Sequence, residues 1–161
     1  MTTRLSRALP AALAVVLVAL LGASAWLWYD GRESDRSAAA STTARTAAST
    51  FFTLDAADVD ATVDAMLELS TGEFRTDYEA QRDRLVEEVE SKGLEVTAAV
   101  PDNGAALEFL DGDRAQVLVA VDATTTLPDG GTETNNYRVR VRLSWVDDEA
   151  AWRVSGLEQV G

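Results

Sequence analysis

Tyr137-Arg138-Val139-Arg140-Val141-Arg142-Leu143-Ser144-Trp145 alternates large apolar and polar side chains without a break. That period of two is a strand's, and it sets Tyr137, Val139, Val141, Leu143 and Trp145 on one face and Arg138, Arg140, Arg142 and Ser144 on the other. A strand with one wet face belongs to an antiparallel sheet. Downstream, Asp147 to Ala150 predicts a tight turn, after which Trp152 and Val154 resume the apolar face, so Trp145 and Trp152 become candidate cross-strand neighbours. Upstream, Arg114 to Thr125 carries Val117, Val119 and Val121 on one side, and Asp129-Gly130-Gly131 turns the chain. Leu94 to Val100 is a further short strand, closed by Pro101-Asp102-Asn103-Gly104, and Ala105 to Leu110 reads as its continuation beyond a bulge or turn.

Before Gly93 the period is helical. Val59, Val63, Met66 and Leu67 recur at i, i+4, i+7 and i+8, with Asp55 the expected N-cap. Ser70-Thr71-Gly72-Glu73 has the spacing of a capping box, in which the serine accepts from the Glu73 amide. The helix expected after it turns Phe74, Tyr78, Leu85, Val86 and Val89 inward and stops at Lys92-Gly93, a cation followed by a C′ glycine. Helices first and strands afterwards make an α+β domain over 51–161, with about three helices on the concave side of a curved antiparallel sheet of about four strands. Residues 30–50, rich in Ala, Ser, Thr and Arg, carry too few large apolar groups for a core and read as a juxtamembrane linker or helix running into Phe51-Phe52.

Ahead of that lie 22 residues, Ala8 to Tyr29, with no ionisable side chain except the last. As a helix they reach roughly 33 Å at about 1.5 Å per residue, against a hydrocarbon core of about 30 Å. Arg4 and Arg7 precede the run, and Asp30, Arg32, Glu33 and Asp35 follow it, so the positive-inside rule predicts a cytoplasmic stub at 1–7, a transmembrane helix at 8–29 and an extracytoplasmic body. Ala23-Ser24-Ala25 also fits the small-residue pattern of a cleavable signal, which would export the same body. Either reading gives a plasma-membrane route.

Beyond the run stand 12 basic residues against 27 acidic ones, a net of −15. Such a body repels nucleic acid. The chain has neither cysteine nor histidine, so it is held by burial of apolar area and lacks the commonest general base and zinc ligand. There is no calcium loop, phosphate loop or nucleophile elbow. The expectation is a protein that is not an enzyme and takes no metal or cofactor. Only Lys92 among 14 basic residues is lysine.

The order of blocks is informative. The apolar run, Ser70-Thr71-Gly72-Glu73-Phe74-Arg75 with Tyr78 after it, Asp113-Arg114-Ala115-Gln116-Val117-Leu118-Val119, Tyr137-Arg138-Val139-Arg140-Val141 and Trp152-Arg153-Val154-Ser155-Gly156-Leu157-Glu158 together resemble Mce-associated membrane proteins. These are small accessory proteins of the mammalian-cell-entry lipid transporters of actinobacteria. The resemblance covers most of 51–160 and the apolar run, while residues 30–50 match nothing in it. It implies a cone-shaped fold similar to nuclear transport factor 2 and to the periplasmic domain of a type IV secretion scaffold. It further implies a non-enzymatic accessory or assembly role, through contacts with protein subunits of an envelope lipid transporter. The alternatives are a carrier or sensor for an apolar ligand, and a scaffold of another export system.

Two groups of residues are candidate sites. Arg138, Arg140 and Arg142 form a basic stripe in an acidic body: either a solvent face paired with carboxylates of neighbouring strands, or a docking surface for an acidic partner. Tyr78, Tyr137, Trp145 and Trp152 either fill the core or line a cavity of the cone. Asp122 follows Val121 on its strand and therefore points away from the valine face, which removes it as an inward base.

Overall fold

The structure, a computed structural model, describes residues 34–127 and 130–160. The chain divides into two compact units, Met1–Arg36 and Ser37–Gly161, and the second holds the sheet with the helices packed on it. The expected stub at 1–7, the transmembrane helix at 8–29 and Asp129 of the expected turn lie outside the described residues. Among the described residues no helix is long and apolar enough to cross a membrane.

One six-stranded antiparallel sheet comprises β1 (Leu54–Asp55), β2 (Glu95–Ala99), β3 (Ala105–Asp111), β4 (Arg114–Thr126), β5 (Thr132–Val146) and β6 (Ala151–Gln159). It curls into a half-barrel. Among the described residues the helices are α1, whose described part is 34–52, then α2 (Val59–Leu69), α3 (Gly72–Ala80) and α4 (Arg82–Lys92). The class is the expected α+β, with more elements than expected.

β5 pairs with β4 along the full length from Arg114↔Ser144 to Thr126↔Thr132. Both β2 and β3 therefore lie on the other edge of β4, end to end, at Ala99↔Asp122 and Ala105↔Val119. They are one strand interrupted by Pro101 to Gly104, as the sequence pattern suggested. Arg45 of α1 fastens the interruption, donating to the carbonyls of Val100 (3.0 Å) and Asp102 (3.2 Å).

The alternation in β4 and β5 is realised as read. Val117, Val119, Val121, Val139 and Val141 are fully buried on one face. Burying each valine contributes about 1.5–3 kcal/mol, whereas an exposed ion pair on the opposite face contributes at most about 1 kcal/mol. The valine stripe, not the arginine stripe, thus fixes the register.

Over 34–50, the described part of the expected linker or helix, the chain is helical, and what changes is the expectation that it stands outside the core. Ala40, Ala44, Ala47 and Ala48 of α1 have no exposed surface and join the valines in the main core cluster. Small side chains allow the helix backbone to approach the sheet closely, so a stretch poor in large apolar groups becomes central to the core. The compact unit consequently begins at Ser37 and not at 51.

The helix ends also differ from expectation. α2 begins at Val59 after Asp58, while Asp55 lies in β1 and accepts from the Ala57 amide (2.8 Å), closing an Asx turn. No capping box forms at Ser70. The Ser70 hydroxyl donates to the Met66 carbonyl (2.6 Å), buried, and the Thr71 amide donates to Val154 O (2.8 Å), so this junction covers the free edge of β6 instead. The helix expected from 72 to 92 breaks at Gln81, between Phe74 and Tyr78, which join the main cluster, and Leu85, Val86 and Val89, which pack against α2. Its end matches the reading. Gly93 has φ +56°, and the Leu94 and Gly93 amides close on the carbonyls of Val89 and Glu90 (both 3.1 Å).

Candidate functional site

The sheet presents two candidate surfaces, one on each face. On the outer face, Arg140 sits between two strands and donates to Glu108 of β3 (2.7 Å) and Glu158 of β6 (2.9 Å). Hydrogen bonding to this guanidinium holds the Glu108 carboxyl below the ordinary carboxylate range, and the two glutamates raise Arg140 in turn. Its charge is spent within the fold.

Its neighbours differ. Arg138 and Arg142 are exposed and make no ion pair among the described residues. Opposite Arg142 in the register stands Gly156. A Cβ there would fall 2.6 Å from Arg142 Nε, so the guanidinium lies directly over the glycine. The stripe is one committed arginine flanked by two uncommitted ones, and the spacing of the sequence alone does not reveal which is which. Asp122 also lies outward, accepting from the Asn136 side chain (2.6 Å).

On the inner side a cavity of about 620 Å³ opens between the end of α1, the α3–α4 pair and the sheet near β1. Five rings line it: Phe51, Phe52, Phe74, Tyr78 and Tyr137. They form a connected series, with Phe52 stacked on Tyr137 (4.9 Å between centroids), Phe51 edge-on to Phe52 (5.4 Å), Phe51 tilted against Tyr78 (6.2 Å) and Tyr78 stacked on Phe74 (6.0 Å). Burial pushes the Tyr78 phenol up from its ordinary value. The charged groups at the rim are Asp77, Arg84 and Glu88, with Glu88 paired to Lys92 (2.6 Å).

Of the four aromatic residues singled out in the sequence, Tyr78 and Tyr137 line this cavity. Trp145 and Trp152 are brought together elsewhere, as register partners with edge-on rings 5.4 Å apart, Trp152 being buried in the core. Sequence reasoning missed Phe51, Phe52 and Phe74 as wall residues. The adjacent pair Phe51-Phe52 was a usable signal, because two successive large rings at a helix end are wider than a single buried stripe, and here both pack at the edge of the main core cluster. No group of three or more acidic side chains is placed to hold a metal ion among the described residues.

A helix-backed, curled antiparallel sheet of this connectivity defines a fold seen in extracytoplasmic domains of bacterial secretion systems. The structure is similar to an IcmL-like type IV secretion system protein from Legionella pneumophila, with TM-score 0.63 and 16% identity, covering 76% of this chain and 91% of that one. It is similar to the periplasmic domain of DotI (0.62, 17%, 76% and 94%). A third likeness is to CagV, a VirB8 homolog from Helicobacter pylori (0.59, 9%, 76% and 97%). At these identities the likeness is one of fold. Residues 5–161 match the family described as Uncharacterized protein Rv1363c/MT1408-like, and the chain belongs to it. No curated protein matches the chain.

Proposed function

We propose that this protein is a non-enzymatic accessory subunit of an envelope transporter of the Mce type, anchored in the plasma membrane by residues 8–29 with its α+β domain outside the cytoplasm, and that it acts by protein contacts. The observation that carries this reading is the fold shared with the secretion-system domains, each covered over more than nine-tenths of its length. The block order in the sequence favours a lipid transporter over a secretion machine as the host complex. Arg138 and Arg142 supply a contact surface on the outer face: in a chain of net charge −13, two exposed guanidinium groups without carboxylate partners among the described residues suit an acidic patch on a neighbouring subunit.

The test is a mild-detergent pull-down of the full-length tagged protein from its native membrane, read by mass spectrometry of the captured proteins and of the intact chain. Transporter permease or substrate-binding subunits recovered with a chain of uncleaved mass support the reading. Recovery of secretion-machine components instead transfers the accessory role to that system, and a chain cleaved after Ala25 removes the anchor. Charge reversal at Arg138 and Arg142 is expected to abolish capture while leaving the fold intact, and unchanged capture would count against the proposed surface.

A further inference from the structure

The inner cavity lies at a seam. The core consists of two clusters, one between α1 and the sheet and one between α2 and α4, and Tyr78 packs against both. Where they meet, Phe51, Phe52, Leu54, Phe74, Tyr78, Leu85, Val96 and Tyr137 all face the cavity, and every one of them is only partly covered. A volume of about 620 Å³ falls within the range of about 300–1,000 Å³ typical of sites that enclose a small ligand. A chain that needed only a scaffold would gain stability by filling this space, since each buried methylene contributes about 0.8 kcal/mol.

The polar groups define the ligand's chemistry. At the rim stand Asp77, Arg84 and Glu88, with Glu88 already paired with Lys92 and also near the Arg84 charge. An anionic head group would meet two carboxylates and the negative field of the whole chain, a cationic one would meet Arg84 at the rim, and the wall beyond the rim carries no charged side chain. On the wall, the hydroxyls of Tyr78, Tyr137 and Thr125 have no hydrogen-bond partner among the described residues. Three such hydroxyls serve a ligand hydroxyl or carbonyl, as donor or acceptor.

We infer that the cavity is a binding site for a neutral amphiphile, an apolar body against the five rings with one hydroxyl or carbonyl end at Tyr78, Tyr137 or Thr125. This site is independent of the accessory role, so either can fail without the other.

The experiment is photolabelling of the full-length chain, held in amphipol, with three diazirine probes of one chain length: a fatty alcohol, the matching fatty acid and the matching amine. The alcohol is expected to label peptides carrying Phe51-Phe52 and Phe74 to Tyr78, with the two ionised probes about tenfold weaker at matched concentration. Thr125→Phe and, separately, Val96→Phe each extend a wall side chain into the space, the first also removing one of the three hydroxyls and the second leaving all three in place. Whichever keeps the native circular dichroism should lose at least most of the labelling. Absence of alcohol labelling at these peptides, equal labelling by the acid or amine, or full labelling of a folded filled variant would each overturn the assignment. Protection of the cavity by another segment of the chain or a second copy would register as the first of these.

Discussion

The alternating segment of β5, Tyr137 to Trp145, carries one pattern throughout and is finished in opposite ways at its two ends. At one end Leu143 is buried, Trp145 meets Trp152 edge-on, and Trp152 and Val154 are closed off in the core. At the other end Tyr137 is only partly buried and looks into a cavity bounded by half-covered rings. The difference lies in what arrives to cover each end. The tryptophan end is covered by its own hairpin partner on β6 and by the 70–71 junction against Val154. The tyrosine end depends on α1 and the α3–α4 pair, which meet there without filling the space. A strand's periodicity states which face is turned inward and is silent on whether anything occupies that interior.

The comparison is sharpest under substitution. Trp152→Ala at the closed end should cost about 3–5 kcal/mol, measured by denaturant unfolding. A loss under 1 kcal/mol would erase the distinction between the ends. Between them, Ala44→Leu inserts volume where α1 lies against the valines, with an expected loss of about 1–3 kcal/mol from overpacking. If it proved neutral, the close helix–sheet approach would be in error. Tyr137→Ala at the open end removes a half-covered ring and should cost only about 1–2 kcal/mol. It should also reduce photolabelling by the alcohol probe, a readout that Trp152→Ala leaves in place wherever the protein stays folded.

The smallest effects are those of pH, and they report on different faces. Glu108 on the outer face and Asp64, bonded to Arg82 on the helical side, both titrate below their ordinary values in the fold. Their contribution is therefore complete above the usual carboxylate range of about pH 4 and is lost as pH falls through the depressed values. Tyr78 is raised, so its contribution is complete below about pH 10 and is lost as pH rises beyond that. Thermal midpoints across both limbs should show the acid limb weakened by Glu108→Gln and the alkaline limb by Tyr78→Phe, each leaving the other unchanged.

The sheet was legible in the sequence because period-two alternation is imposed by burial on one face, and Val117 to Val121 and Val139 to Leu143 obey it without exception. The Trp145–Trp152 pairing followed from turn length, and the end of α4 from Gly93. What escaped was decided by tertiary contact. Four alanines of α1 resemble linker composition until a sheet is placed against them. Asp55 and Ser70 have the chemistry of helix caps and are used instead for a turn and for an edge bridge. For the candidate sites, Tyr78 and Tyr137 could be named from residue type, but the cavity also needs Phe51, Phe52 and Phe74, which the end of α1 and the start of α3 deliver. The stripe of arginines was visible, whereas the division of labour within it depends on Glu108 and Glu158, supplied by two other strands.

The stacking of Arg142 on Gly156 ties two distant positions together. A single added carbon at 156 would displace the guanidinium, and because Arg142 is exposed and flexible, it would swing aside at little cost. The glycine therefore sets where the arginine's charge is held on the outer face, so Gly156→Ala should leave stability nearly unchanged while moving the charge that a neighbouring subunit would meet.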